Sequence, residues 1–189
     1  MAESSARVPL VERADLAPAE VAAYDHVAQS RGAARMPNVF KAIANNPAVL
    51  EKMAALGEFL RFQAKLDPLL RELAILTTAQ ESRSVYEWTA HWTIALKFGA
   101  PAALLHMIGT PQIEREPAPV GIALRFARLV ARNESVDDAT FEAVKSHLGN
   151  AGIVELIALV GYYGALARML TVLRVPLDEG VEAKPFVVS

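Results

Sequence analysis

Apolar residues recur at three- and four-residue spacing along most of this sequence, which is the pattern of helices that bury one face. The pattern predicts about eight helices and an all-α fold. The best-marked predicted helices are Leu69 to Gln80, Ser84 to Phe98, Val120 to Arg132, Asp137 to Leu148 and Ile153 to Leu173. Strand-like alternation is confined to Phe186-Val187-Val188 in the tail.

Helix start and stop signals support these predictions. Asp67-Pro68 combines a capping side chain with a proline suited to the first turn, and Asn46-Pro47 repeats the signal for an earlier helix. Gly99 is placed to end the helix that begins near Ser84. A first helix begins near Pro18 and is expected to end near Arg31-Gly32.

Length and composition favour one globular domain. The chain has 189 residues, of which 53% are hydrophobic and 21% charged, enough for one core. We predict an N-terminal arm over residues 1–16, a single helical domain over 17–176 and a tail over 177–189. The arm is expected to pack on the body or on a neighbouring subunit.

Charge and hydropathy exclude several classes of partner. The formal net charge is −2 without a Lys/Arg cluster, so we expect no nucleic-acid partner. The longest charge-free apolar stretch, Leu156 to Ala167, is shorter than the roughly 20 residues that span a bilayer, so no membrane partner is expected either. The N-terminus lacks the apolar run of a secretory signal, and we expect a cytoplasmic protein.

The sequence has no cysteine, which excludes thiolate metal sites, Fe–S clusters and thiol nucleophiles. The serines lack the glycine flanks of a nucleophile elbow, and neither a glycine-rich phosphate loop nor HExxH is present. Acid–base chemistry by carboxylates and histidine therefore remains.

Glu87 and His91 are four residues apart, so a helix places them on one face. A carboxylate favours the protonated form of a neighbouring imidazole, and such a pair can serve as a general acid and base. The alternative is an ordinary surface pair. Trp88 and Trp92 make the helix largely buried, which favours the functional interpretation; both tryptophans are predicted to be core residues.

Glu72 lies among apolar residues that leave it no clearly wet face, which makes it a second candidate carboxylate. By pattern alone, a structural ion pair with Arg71, Arg61 or Arg168 is favoured over a catalytic role. Two glutamates and a histidine are also hard metal ligands. Because helical carboxylate sites tend to use paired Glu-x-x-His units, we predict no metal and no other cofactor.

The segments Arg71-Glu72-Leu73-Ala74-Ile75-Leu76 and Tyr86-Glu87-Trp88-Thr89-Ala90-His91, with Ala95 and Gly99, resemble the core signature of the carboxymuconolactone decarboxylase and alkylhydroperoxidase-D (AhpD) superfamily. The resemblance extends over roughly residues 8 to 175. It implies an AhpD-like helical bundle that assembles as a homo-oligomer, a trimer or hexamer. In the peroxidase branch a Cys-x-x-Cys pair precedes the histidine; here those positions are Ser84 and Glu87, which points to the decarboxylase branch.

The resemblance is what joins Glu72 to Glu87 and His91 as a catalytic trio. It implies cofactor-free decarboxylation of a small carboxylated lactone from aromatic-compound degradation. In that reaction protonated His91 would stabilise the enolate or lactone oxygen, Glu87 would hold and reprotonate His91, and Glu72 would relay or donate the proton. A lactone hydrolase or isomerase with the same residues, or a non-catalytic ligand-binding member, are the alternatives. Phe40, Tyr86 and Tyr163 are candidate pocket residues, although each is more often a core residue.

Overall fold

Every regular element in the computed structural model is helical within the residues that it describes, 6–30 and 35–186. That part of the chain contains eight α-helices: α1 Val21–Ser30, α2 Asn38–Ile43, α3 Pro47–Glu58, α4 Pro68–Glu81, α5 Val85–Lys97, α6 Ala102–Met107, α7 Val120–Ala131 and α8 Asp138–Leu173. The all-α prediction is confirmed.

Three predicted features lie wholly or partly outside the described residues. They are the first five residues of the arm, the end of the first helix at Arg31-Gly32, and residues 187–188 of the strand-like tail. The neighbouring Phe186 is in irregular backbone. The homo-oligomer and the domain bounds 17–176 stay predictions.

The predicted capping signals form the ends of the helices that carry the candidate residues. The Asp67 side chain accepts a hydrogen bond from the Leu70 N–H at 2.9 Å, and Pro68 opens α4. The Ser84 hydroxyl accepts from the Glu87 N–H at 3.4 Å at the start of α5. Gly99 follows α5 with a φ of 89°, a left-handed conformation that glycine adopts without strain.

Gly149 interrupts α8, with φ 67° and ψ 178°, so two helical segments meet at a kink there. The helices predicted from Asp137 to Leu148 and from Ile153 to Leu173 correspond to these two segments of α8. Within the described residues, α8 is also the one helix long and apolar enough to span a membrane, and half of its most apolar window is buried. Core helices of soluble proteins share those properties, so this is weak evidence for a membrane span.

The chain divides into two compact units. The first comprises Met1–Gln63 and Arg168–Val181 and contains α1, α2 and α3. Part of the predicted arm packs within this unit: the Arg7 N–H donates to the Leu173 carbonyl at 2.8 Å, and the Val11 N–H donates to the Lys41 carbonyl at 3.2 Å. A short π-helix, Phe59–Gln63, follows α3 and was not predicted from the sequence.

The second unit comprises Ala64–Ala167 and Glu182–Ser189, and α4 is its central helix. α4 packs against both α5 and α7, and its residues from Leu70 to Gln80 are all buried. Leu73, Ile75 and Leu76 are fully buried. The charged residues of α4 and α5 are therefore held on a rigid apolar scaffold.

The C-terminal segment packs on α5. Trp88 Nε1 donates to the Pro185 carbonyl at 2.7 Å, and the Lys184 N–H donates to the Thr89 hydroxyl at 3.1 Å. The Phe186 ring meets Trp88 edge-on, with centroids 5.5 Å apart. Trp88 and Trp92 are buried, as predicted, and Trp88 in addition anchors the tail.

Replacing Asp67 by alanine removes the side-chain cap of α4. We expect the free energy of unfolding to fall by about 1 kcal/mol, the usual cost of losing an N-cap. Asp67→Ser, which keeps an acceptor oxygen, should recover most of the loss. Urea denaturation followed by circular dichroism measures both, and equal stability of the alanine and serine variants would contradict the assigned cap.

Replacing Trp88 by phenylalanine removes the indole N–H and keeps an aromatic ring in the core. We expect a loss of about 1 kcal/mol for the hydrogen bond to Pro185, with faster proteolytic cleavage of the tail. Trp92→Phe is the matched control, because it keeps an aromatic ring against Trp88 and His106 and leaves the Trp88 indole in place. Equal cleavage rates in the two variants would show that the indole does not hold the tail.

Candidate active site

The three predicted site residues come together on two packed helices of the second unit. Glu72 lies on α4, and Glu87 and His91 lie on α5. Their exposed fractions are 0%, 3% and 5% respectively, so the cluster is buried. The alternative of a surface pair for Glu87 and His91 is therefore wrong.

The shortest contact in the cluster joins residues 19 positions apart. Glu72 Oε2 lies 2.6 Å from His91 Nδ1, within hydrogen-bonding distance. The ring nitrogen donates and the fully buried carboxylate accepts. This bond fixes the orientation of the imidazole, as buried carboxylates do for catalytic histidines in general.

Glu87 approaches the opposite side of the ring. Its Oε2 lies 3.6 Å from His91 Nε2, close enough for an ion pair and too far for a direct hydrogen bond. The predicted Glu87–His91 partnership is thus present, and the Glu72–His91 contact is the tighter of the two. Each nitrogen of one imidazole therefore faces a carboxylate oxygen.

Arg71 supplies the remaining charge. Its Nε donates to Glu72 Oε1 at 3.3 Å, and only 7% of the residue is exposed. The structural ion pair considered for Glu72 therefore exists together with the contact to His91. With His91 protonated, the two cations and the two carboxylates of this cluster sum to zero, which reduces the cost of burying them.

The three predicted pocket residues have different surroundings. The Tyr163 ring on α8 meets the His91 ring edge-on, with centroids 4.9 Å apart. Tyr86 precedes Glu87 on α5 and is 8% exposed. Phe40 lies on α2 in the first unit and is 7% exposed. Their role in binding a substrate stays a prediction.

The cluster is not arranged as a metal centre. Among residues 6–30 and 35–186, no three histidine, aspartate or glutamate side chains are grouped so that they could hold a metal ion. Two carboxylates about one imidazole are instead suited to holding and moving a proton.

Comparison with known proteins supports the resemblance seen in the sequence. Residues 47–108 match the family model described as "Carboxymuconolactone decarboxylase family", a region that includes α4, α5 and all four residues of the cluster. No curated protein matches the chain significantly.

Several solved structures share the fold. An uncharacterised peroxidase-related protein from Ralstonia eutropha JMP134, described as an alkylhydroperoxidase AhpD core, has 21% identity and a TM-score of 0.78 over 92% of this chain and 93% of its own. A peroxidase-related protein from Silicibacter sp. TM1040 has 21% identity and a TM-score of 0.77 over 93% of both chains.

A cysteine-to-alanine variant of the debrominase Bmp8, in complex with 2,3,4-tribromopyrrole, has 15% identity and a TM-score of 0.74 over 93% of this chain and 95% of its own. The AhpD-like fold and the resemblance to the superfamily are thus confirmed. The relatives differ in what their names say of their chemistry.

The geometry predicts that Glu72 holds the ring proton of His91. In NMR spectra, a proton in so short a charge-assisted hydrogen bond should appear well downfield of ordinary amide signals. Glu72→Gln should abolish that signal, because a neutral amide is a weaker acceptor, whereas Glu87→Gln should retain it. A signal that disappears only in Glu87→Gln would contradict the assignment.

Proposed function

We propose that this protein is a cofactor-independent acid–base enzyme acting on a small carboxylated lactone or a related aromatic-degradation intermediate, with decarboxylation as its reaction. The observation that carries the proposal is the buried imidazole of His91 between the carboxylates of Glu72 and Glu87. Their match to the carboxymuconolactone decarboxylase model supports the choice of reaction.

Burial assigns different tasks to the two carboxylates. Glu72 is wholly inaccessible, so it orients His91 and balances its charge without touching substrate. Glu87 and His91 are 3% and 5% exposed, so these two residues keep a small exposed area. The 3.6 Å gap between them leaves the Nε2 proton uncommitted to Glu87, so it can be donated to a substrate oxygen.

Decarboxylation requires a group that stabilises negative charge on the substrate and a group that delivers a proton to carbon. When the bond to the carboxylate carbon breaks, CO2 leaves and the electron pair remains on the substrate as a dienolate. Protonated His91 stabilises the negative oxygen, and the Glu87–His91 pair delivers a proton to carbon. A proton from solvent then restores the pair, so that the net change is loss of CO2 and gain of one proton.

Thiol chemistry is incompatible with these residues. Two solved relatives are named as peroxidase-related and another is a debrominase, but this sequence has no cysteine. Position 84 is a serine that caps α5, and position 87 is the glutamate beside His91. A disulfide cannot form, so reduction of a hydroperoxide by thiol–disulfide exchange is excluded.

The test is turnover of 4-carboxymuconolactone, followed as CO2 release by the purified protein. We expect Glu87→Gln and His91→Gln to lower kcat by about 10²- to 10⁴-fold, the usual contribution of a general acid–base group. Glu72→Gln should also lower kcat, because it releases the ring that Glu72 orients.

His147→Gln is the matched control, since His147 is an exposed histidine of the same unit and should leave kcat unchanged. Turnover that survives all three substitutions in the cluster would refute the assigned roles. Binding of the lactone without turnover by the unmodified protein would favour the non-catalytic alternative.

A further inference from the structure

The guanidinium of Arg71 has two hydrogen-bonding edges, and the described residues use only one of them. Nε donates to Glu72 Oε1 at 3.3 Å. Nη1 and Nη2, called the outer edge below, donate to no residue within 6–30 and 35–186. A guanidinium carries five donors in a planar fork, so the outer edge keeps the geometry that fits a carboxylate.

The Arg71 side chain, which carries the outer edge, is largely buried but not completely. Only 8% of the Arg71 side chain is exposed, and neither terminal nitrogen is among the fully buried polar atoms that lack a partner. The side chain therefore keeps a small exposed area. A cation in such a place binds an anion more strongly than one at the surface, because the surrounding protein screens charge less than water does.

An apolar surface lies beside this charge. The Phe98 ring has its centroid 5.6 Å from Arg71 Cζ, and 46% of Phe98 is exposed. Such an arrangement orients the guanidinium across an aromatic face. A ligand that combines a carboxylate with a flat apolar body matches the two groups together.

We propose that the outer edge of Arg71 binds the carboxylate of a small organic anion, whose apolar part contacts Phe98. Glu72 links this site to the proposed catalytic group, since its Oε1 faces Arg71 and its Oε2 faces His91. The anion is thereby held one carboxyl group away from the imidazole. Arg71 is then a binding residue and not only the counter-ion of Glu72.

The role of Arg71 in catalysis rests on the proposed function. If Arg71 held the carboxylate that is lost as CO2, it would stabilise the reactant more than the dienolate and slow the reaction. The carboxylate on Arg71 is therefore one that the reaction leaves in place. Its removal should raise KM more than it lowers kcat, whereas substitutions of His91 should act mainly on kcat.

Binding of benzoate, measured by calorimetry on the full chain, tests the site without requiring turnover. We expect benzoate to bind and neutral benzamide to bind at least 10-fold more weakly. Arg71→Met should weaken benzoate binding by about 10- to 100-fold, as expected for lost charge-assisted hydrogen bonds. Arg125→Met, which removes an exposed charge on α7, should leave the affinity unchanged.

Arg71→Lys keeps a positive charge for Glu72 and loses the second edge of the fork, so it should also bind benzoate more weakly. If both variants fail to fold, the side-chain ¹⁵N signals of Arg71 in the unmodified protein decide: addition of benzoate must shift them. Unshifted signals, or equal affinity in a folded Arg71→Met variant, would overturn the proposal.

The outcome is separable from that of the proposed function. Benzoate binding that depends on Arg71 in a protein inactive on the lactone would support the site and refute the lyase. Lactone turnover with an unchanged KM in Arg71→Met would support the lyase and refute the site.

Discussion

The complete burial of the Glu72 carboxylate is the constraint on which the rest of the site depends. An ionised carboxylate removed from water is strongly destabilised unless cations and hydrogen bonds replace its hydration. Here Arg71 and His91 each take one of its oxygens, at 3.3 and 2.6 Å. Because Arg71 is on α4 and His91 on α5, satisfying Glu72 fixes where α5 lies along α4.

That requirement places the other groups of the cluster. With Nδ1 bonded to Glu72, the imidazole presents Nε2 to Glu87 and makes a T-shaped contact with the Tyr163 ring. Trp88 and Thr89, between the two site residues of α5, contact the C-terminal segment instead. α5 therefore carries the candidate site residues on one side and contacts the C-terminal segment on another. Rotation of α5 about its axis would disturb both sets of contacts.

Local signals in the sequence were sufficient to predict the ends of α4 and α5 that carry the candidate site. Asp67, Ser84 and Gly99 act within a few residues of themselves, and each forms the helix end that its chemistry predicts. Such signals could not predict the hydrogen bond between Glu72 and His91. Periodicity describes the faces of single helices and says nothing about how two helices align. Only the family resemblance joined these two residues.

The same limit explains what was missed. The contacts of the tail with Trp88 join residues almost a hundred positions apart, and the tail itself has no helical or strand pattern. The sequence also could not predict the outer edge of Arg71. Whether a guanidinium nitrogen has a hydrogen-bond partner depends on the packing around it. The sequence predicted an ion pair between Arg71 and Glu72. It did not predict that this pair would use only one edge of the guanidinium.

The position of Glu87 shows how one fold accommodates two chemistries. Glu87 lies in the first turn of α5, where the helix dipole favours an anion, and its carboxylate faces His91. A cysteine thiolate, which the peroxidase branch has at this position, gains from the same two effects. The scaffold thus supplies a place for an anion beside an imidazole. A carboxylate fills this place here, and in the proposed function it takes part in proton transfer.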